Sequence, residues 1–254
     1  MRFQVISDVP GIARVAGYYA EVWETTEDVL STETLHCVRH AGGATIGAFD
    51  GDELVGATTG LFCPDGSVYS MIAAARTGVG YPLKLAQKKW AVELGARSMR
   101  WTYDPLVSRN ARFNLVKLGA VVTEYTVDFY GPMRDGVNDG DESDRLTVRW
   151  DLTGSREAHE SVPSGEITSM APDGEPLART DGERIWCRVP RDVVQVRKES
   201  AELAKQWRQA VRGVFVDAFE QGYVATSMSR EGWYELERKK EAAQKEAAQK
   251  EAAR

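Results

Sequence analysis

The sequence predicts an α/β protein in which helices flank a central sheet. Segments of strand composition alternate with segments of helical period. Their order over residues 1–152 is β-α-α-β-β-β-α-β-α-β-β. A strand also gives way to a helix at Arg76-Thr77-Gly78-Val79-Gly80-Tyr81, where two glycines fall within three residues. At 254 residues, 43% hydrophobic and 28% charged, the chain can build one large domain or two small ones.

Phe3 to Ile6 reads as the first strand. Pro10 opens a helix whose apolar stripe is Ile12, Val15, Ala16, Tyr19 and Val22-Trp23. Ser31 or Thr32 caps a second helix that runs to His40 and stops at Gly42-Gly43. Ala44–Phe49 and Leu54–Phe62 form a hairpin across Asp50-Gly51-Asp52. Val68 to Ile72 is a strand, and Pro82 onward is helical to about residue 95. Ser98–Tyr103 is a strand cut off by Asp104-Pro105. Ser108–Leu118 is helical up to Gly119, Ala120–Phe129 is a long strand, and Leu146–Leu152 another. Residues 153–182, rich in Gly, Pro, Ser and acids, read as a loop or linker. Over 183–238 a β-α-β-β addition follows: a strand from Arg184, a helix over 192–221 and a hairpin from Tyr223 to Leu236. One helix and a hairpin bury too little to stand alone, so this addition is expected to pack on the first domain. Residues 239–254 repeat Lys-Glu-Ala-Ala-Gln with i,i+4 Glu–Lys pairs, a solvated helical tail or an engineered spacer.

Composition narrows the function. The net charge of −6 gives no generally basic surface for nucleic acid. No apolar run approaches the roughly 20 residues that span a bilayer, and the N-terminus has no signal-like apolar segment. Cys37, Cys63 and Cys187 are far apart and odd in number, which indicates neither a disulfide framework nor a zinc site and fits the cytoplasm. His36 and His40 lack a third ligand, so no metal is expected. The glycine turn is the strongest chemical signal. Glycines let a backbone approach a ligand closely, and a helix start offers unpaired N–H groups and a positive dipole end. A nucleotide or coenzyme A diphosphate is the ligand to expect, the plain alternative being a strand-to-helix turn.

The element order, the Arg76-x-Gly78-x-Gly80 turn and the Asn-containing helix after the fifth strand together resemble the GNAT superfamily of acyl-CoA-dependent acyltransferases. Several blocks are similar to one bacterial group of predicted GNAT proteins: Leu83–Gln87, Trp101–Leu106, Asn110–Asn114 with Lys117–Ala120, Phe129–Gly131 and Ser143–Leu146. Trp207-Arg208 and Gly222-Tyr223 extend the match into the second half. The resemblance implies a mixed, mostly antiparallel central sheet flanked by helices. It also implies acyl-CoA (acetyl-CoA or succinyl-CoA) as co-substrate, since some members of that group are amino-acid N-succinyltransferases. Two positions depart from the superfamily pattern. Ala75 stands three before Gly78, where Gln or Arg is usual, and Leu115 fills the slot of a Tyr that protonates the departing thiolate.

On this resemblance Met71, Ile72 and Ala73 face the pantetheine arm, and the Thr77, Gly78, Val79, Gly80 and Tyr81 amides hold the pyrophosphate with Arg76. Asn110, Phe113 and Lys117 line the coenzyme from the next helix, or serve as cap, packing and dipole partner without it. Asp104, at the C-terminal end of a strand, is the candidate base for the amine proton, or else a turn residue. Tyr130, Arg134 and Arg145 are candidates for binding the acceptor, a small-molecule amine or amino acid. Neither nucleic acid nor membrane is an expected partner, and a homodimer is left open. A GNAT-like binding module without turnover, or an O-acyltransferase or decarboxylase of the same fold, stays open.

Overall fold

The computed structural model describes residues 1–25, 29–131, 141–154 and 159–239. β1 (Arg2–Ile6), β2 (Ala44–Asp50), β3 (Glu53–Phe62) and β4 (Val68–Ala75) form an antiparallel run at one end of the sheet. α1 (Val9–Val22) starts at Asp8, whose carboxylate accepts from the Gly11 N–H at 2.8 Å, with Pro10 in the first turn. α2 (Thr32–His40) is capped by Ser31 and ends before Gly42 at φ 87°. Both pack on one face through Ile12, Val15, Tyr19 and Leu35, while α3 (Gly80–Glu93) covers Ile46, Ala48 and Val55 on the other.

β5 (Ser98–Tyr103), β6 (Val121–Thr126) and β7 (Arg145–Asp151) extend the sheet. Across β4 and β5 the pairing is parallel; every other registered pair of strands is antiparallel, as the resemblance implied. The predicted helix at 108–118 is α4 (Ser108–Arg112) followed by a π-helical turn at Phe113–Lys117, where Leu118 N–H bonds to Phe113 O. The strand predicted to reach Phe129 stops at Thr126, because Asp128 turns into the left-handed region at φ 47°.

The stretch 153–182 is more than a linker: it holds β8 (Glu166–Met170) and β9 (Pro176–Thr180). β10 (Arg184–Arg188), α5 (Val193–Glu199), α6 (Ala201–Glu220), β11 (Tyr223–Met228) and β12 (Trp233–Arg238) complete the chain's described part. The helix expected over 192–221 breaks at Ser200, whose hydroxyl caps α6 by accepting from Leu203 N–H. The second half continues the sheet itself, in the order β1-β2-β3-β4-β5-β7-β6-β11-β12-β10-β9-β8.

The two halves meet at Val122↔Ala225, between β6 and β11, and the meeting point shows an internal repeat. Strand, helix and hairpin appear twice, as β5-α4-β6-β7 and as β10-α5-α6-β11-β12, each with the last strand inserted between the other two. Gly119-Ala120-Val121-Val122-Thr123 and Gly222-Tyr223-Val224-Ala225-Thr226 share Gly, Val and Thr at corresponding positions. Both glycines have positive φ, and both hairpins bulge at the threonine. One core runs across the junction, from Leu106, Leu115 and Leu146 to Trp207, Phe215 and Tyr234.

Candidate functional site

Among the described residues one pair of strands is parallel, and its two strands part early. β4 and β5 are registered at Val68↔Met99 and Tyr69↔Arg100 and nowhere beyond. On the β3 side of β4, Gly60 pairs with Ser70 and Thr59 with Ile72, so Met71 is an extra residue. Such a bulge bends and twists its strand, which turns β4 away from β5. Ile72 and Ala73 keep their ladder to β3, Met71 is the bulged residue between Ser70 and Ile72, and none of the three is registered with β5; Ala73 is exposed.

At the far end of β4 the glycine turn closes with Val79 N–H on Arg76 O at 3.0 Å, and Gly78 takes φ 86°. α3 begins at Gly80, two residues earlier than its composition indicated, with no side chain capping it and with Pro82 in its first turn. Among the described residues, nothing accepts from the N–H groups of Thr77, Gly78, Gly80 or Tyr81. Unpaired donors at the dipole end of a helix form the kind of cradle that suits an anion. A Cβ placed on Gly80 would find Phe113 Cε2 at 4.0 Å and otherwise open space.

The structure brings Phe113 and Lys117, both on the π-helical turn, to this cradle. Phe113 borders Gly80, and the Lys117 ammonium lies 5.8 Å from the centre of the Tyr81 ring. From Tyr81 and Lys117 a groove of about 1100 Å³ runs along α3, lined by the cations Lys88, Arg97 and Arg149, by the carboxylates Asp65 and Asp151 and by Trp150, so that cations outnumber acids. Asn110 is exposed on α4 and makes its main-chain bond to Val107 O. Arg76 is turned elsewhere: its guanidinium pairs with Glu53, and both line a groove of about 480 Å³ against α1.

Beside the splay, Thr102 Oγ1 and Tyr130 OH are 3.2 Å apart, and the Arg145 guanidinium lies 5.2 Å from the centre of the Tyr130 ring. Burial and the neighbouring Tyr130 raise the Tyr69 phenol above its ordinary pKa. Ser143 fixes the Tyr130 turn by accepting from Tyr130 N–H at 2.8 Å and donating to Asp128 Oδ1. Arg145 is buried and donates to Asp144 O, so it is built into the wall of the site. Arg134 lies outside the described residues.

Asp104 is not placed as a base. Its Oδ1 accepts from Leu106 N–H at 2.9 Å; its Oδ2 accepts from Arg197 at 2.6 Å and Arg208 at 3.0 Å. The same two guanidinium groups hold Asp141, at 2.9 and 2.6 Å. Burial alone would raise Asp104, but Arg208 and Arg197 outweigh it and hold the carboxyl below its usual range. A carboxylate so committed clasps α5 and α6 to the end of β5 and has no lone pair poised for an amine. One buried amine escaped the sequence reading: Lys84, on the sheet-facing side of α3.

Among the described residues there is no cluster of His, Cys, Asp or Glu able to hold a metal ion, and no helix is long and apolar enough to cross a membrane. No family model and no curated protein matches the chain. Solved structures similar to it include three acetyltransferases. The aminoglycoside 6'-N-acetyltransferase from Enterococcus faecium is 12% identical, covering 62% of this chain and 100% of that one, with a TM-score of 0.47. The ribosomal-protein-alanine N-acetyltransferase from Brucella melitensis is 13% identical (59% and 99%, TM-score 0.48). An acetyltransferase from Bacillus subtilis, in complex with CoA, is 17% identical (59% and 97%, TM-score 0.43). Similarity of this degree assigns neither a family nor an activity.

Proposed function

We propose that the protein transfers an acyl group, acetyl or succinyl, from acyl-CoA to the amine of a small molecule or amino acid. The observation that carries this is the β4–β5 splay ending in four unpaired N–H groups at the start of α3. A coenzyme A thioester has the matching parts in the matching order. Its diphosphate suits the cradle. Its extended arm carries two amides, which can read the backbone of Met71, Ile72 and Ala73, unregistered with β5, as an added strand would. The basic groove beyond Tyr81 suits the adenosine phosphate.

In the reaction the neutral amine attacks the thioester carbonyl carbon, an N–C bond forms and the C–S bond breaks. The amine proton passes to solvent or a protic side chain, and the thiolate leaves as CoA. The site contributes mainly positioning, with backbone donors near the splay for the oxyanion. The Tyr69 and Tyr130 hydroxyls are the protic side chains beside it.

A second reading, acyl-CoA binding without turnover, is favoured by two positions. Leu115 is buried in the core, and Asp104 is bound by two arginines. A thiol-release assay with acetyl-, succinyl- and malonyl-CoA against an amino-acid panel decides between them. CoA release that requires an amine is the result expected for the transferase. Thermal stabilisation by the thioesters with no release under any acceptor supports the binding module. Absence of stabilisation by every thioester rejects both.

A further inference from the structure

Lys84 has no role in the chemistry just described, yet it is 5% exposed in the middle of the molecule. Its Nζ donates to Ser70 Oγ at 2.8 Å and to Gln87 Oε1 at 3.0 Å. It also lies 3.9 Å from Met99 Sδ and 4.0 Å from the centre of the Trp101 ring. These four neighbours come from β4, α3 and β5, and none of them carries a charge. Among the described residues no carboxylate pairs with the amine. A buried ammonium without a counter-ion is expensive, and a hydrophobic side chain of similar volume would be cheaper. Stability of the fold is therefore a poor account of it.

Its place gives a better one. The last ladder pairs of β4 and β5 are Val68↔Met99 and Tyr69↔Arg100. Ser70 and Trp101 are the next residues on the two strands, and the Lys84 ammonium bonds to one and stands over the other. It is seated where the strands part. We propose that Lys84 is a positioning residue that sets the opening of the β4–β5 cleft, and that its charge state tunes how tightly the cleft holds a coenzyme A arm. This rests on the acyl-CoA reading of that cleft. Protonated, the amine is drawn to the Ser70 and Gln87 oxygens and to the Trp101 ring together, which fixes the strand separation. Deprotonated, it loses the ring and gains a lone pair. Gln87 Nε2, buried with no partner, is the donor that a half-turn of its amide would bring onto that lone pair. The two charge states thus favour two hydrogen-bond arrangements. Burial holds the amine down at about 7, which puts the exchange within the physiological range.

The test is calorimetric binding of CoA to the full chain between pH 5.5 and 9. Binding that favours the charged form is strongest below the pKa of the free protein and weakens as pH rises through it. Wild-type Kd is expected to rise about tenfold between pH 6 and 8.5. The 3'-phosphate of CoA also titrates near pH 6, equally in every variant. Lys84→Met is expected to bind at pH 6 as weakly as the wild type does at pH 8.5, without the rise. Lys84→Arg keeps the charge and should hold its affinity at pH 8.5. Ser70→Ala, which removes one partner of the ammonium and leaves the core packed, should move the rise to lower pH. Melting curves of each variant report folding separately. Equal pH profiles for wild type and Lys84→Met overturn the proposal and leave the coenzyme site standing. No CoA binding by the wild type at any pH removes both.

Discussion

Arg208→Met is expected to lower the melting temperature by about 10 °C at pH 7. Arg208 is fully buried between Asp104 and Asp141, with Arg197 bridging the same carboxylates. Removing one partner of a buried ion pair leaves charge that neither water nor protein compensates, which costs about 3–5 kcal/mol. For a domain of this size each kcal/mol corresponds to roughly 2–4 °C. Methionine fills much of the space, so the loss reports the uncompensated carboxylates more than a cavity.

The pH dependence supplies the control. In the wild type Asp104 and Asp141 both sit below the ordinary carboxylate range, the arginines outweighing burial. Their contribution is therefore present above the unfolded pKa of about 4 and is lost as pH falls through the folded values. In Arg208→Met burial has less opposition, the carboxyls move up, and protonation relieves the strain. The gap in melting temperature between variant and wild type should then narrow from pH 7 to pH 5. A gap that is the same at both pH values would mean that lost packing, not charge, sets the cost.

The network also explains what the sequence could and could not disclose. Asp104 before Pro105 at a strand end has the local pattern of a site residue, and nothing nearby in the chain contradicts that. Its partners Arg197 and Arg208 lie 93 and 104 positions away, beyond any local period. Lys84 was hidden differently. In Leu83-Lys84-Leu85-Ala86-Gln87-Lys88-Lys89 it reads as one of three surface lysines, whereas Leu85 is exposed and Lys84 faces the sheet. Strands β8 and β9 escaped because their flanks are rich in turn formers, β8 is largely exposed, and β9 buries two adjacent residues, Leu177 and Ala178, so neither shows a clean alternation. The glycine turn was legible because its physics is local: two glycines, a strand before and a helix after. The internal repeat went unread in the sequence: Gly-x-Val-x-Thr at 119 and 222 shares three residues, which become significant only once β6 and β11 are seen paired.

Gly80→Asp tests that turn by asking two physical effects to act in opposite directions. Gly80 is the first residue of α3, has no positive φ, and a Cβ there meets no atom closer than 4.0 Å. An acid at an uncapped helix start interacts favourably with the dipole, worth about 0.3–1 kcal/mol, so the melting temperature should hold or rise slightly. The same carboxylate stands among the N–H groups of Thr77, Gly78 and Tyr81, where a diphosphate would sit. Two unit charges about 4 Å apart repel by about 4 kcal/mol at the effective dielectric of a protein surface. CoA affinity should therefore fall by at least about a hundredfold. Gly80→Ala adds the Cβ without the charge and should cost less than about tenfold, which separates obstruction from repulsion. A variant that melts normally and still binds CoA like the wild type would show that the diphosphate lies elsewhere, and the free N–H groups at 77–81 would then be no more than the end of a helix. A stable protein that has lost CoA would mean that these backbone donors, which no side chain caps, are kept open for the ligand.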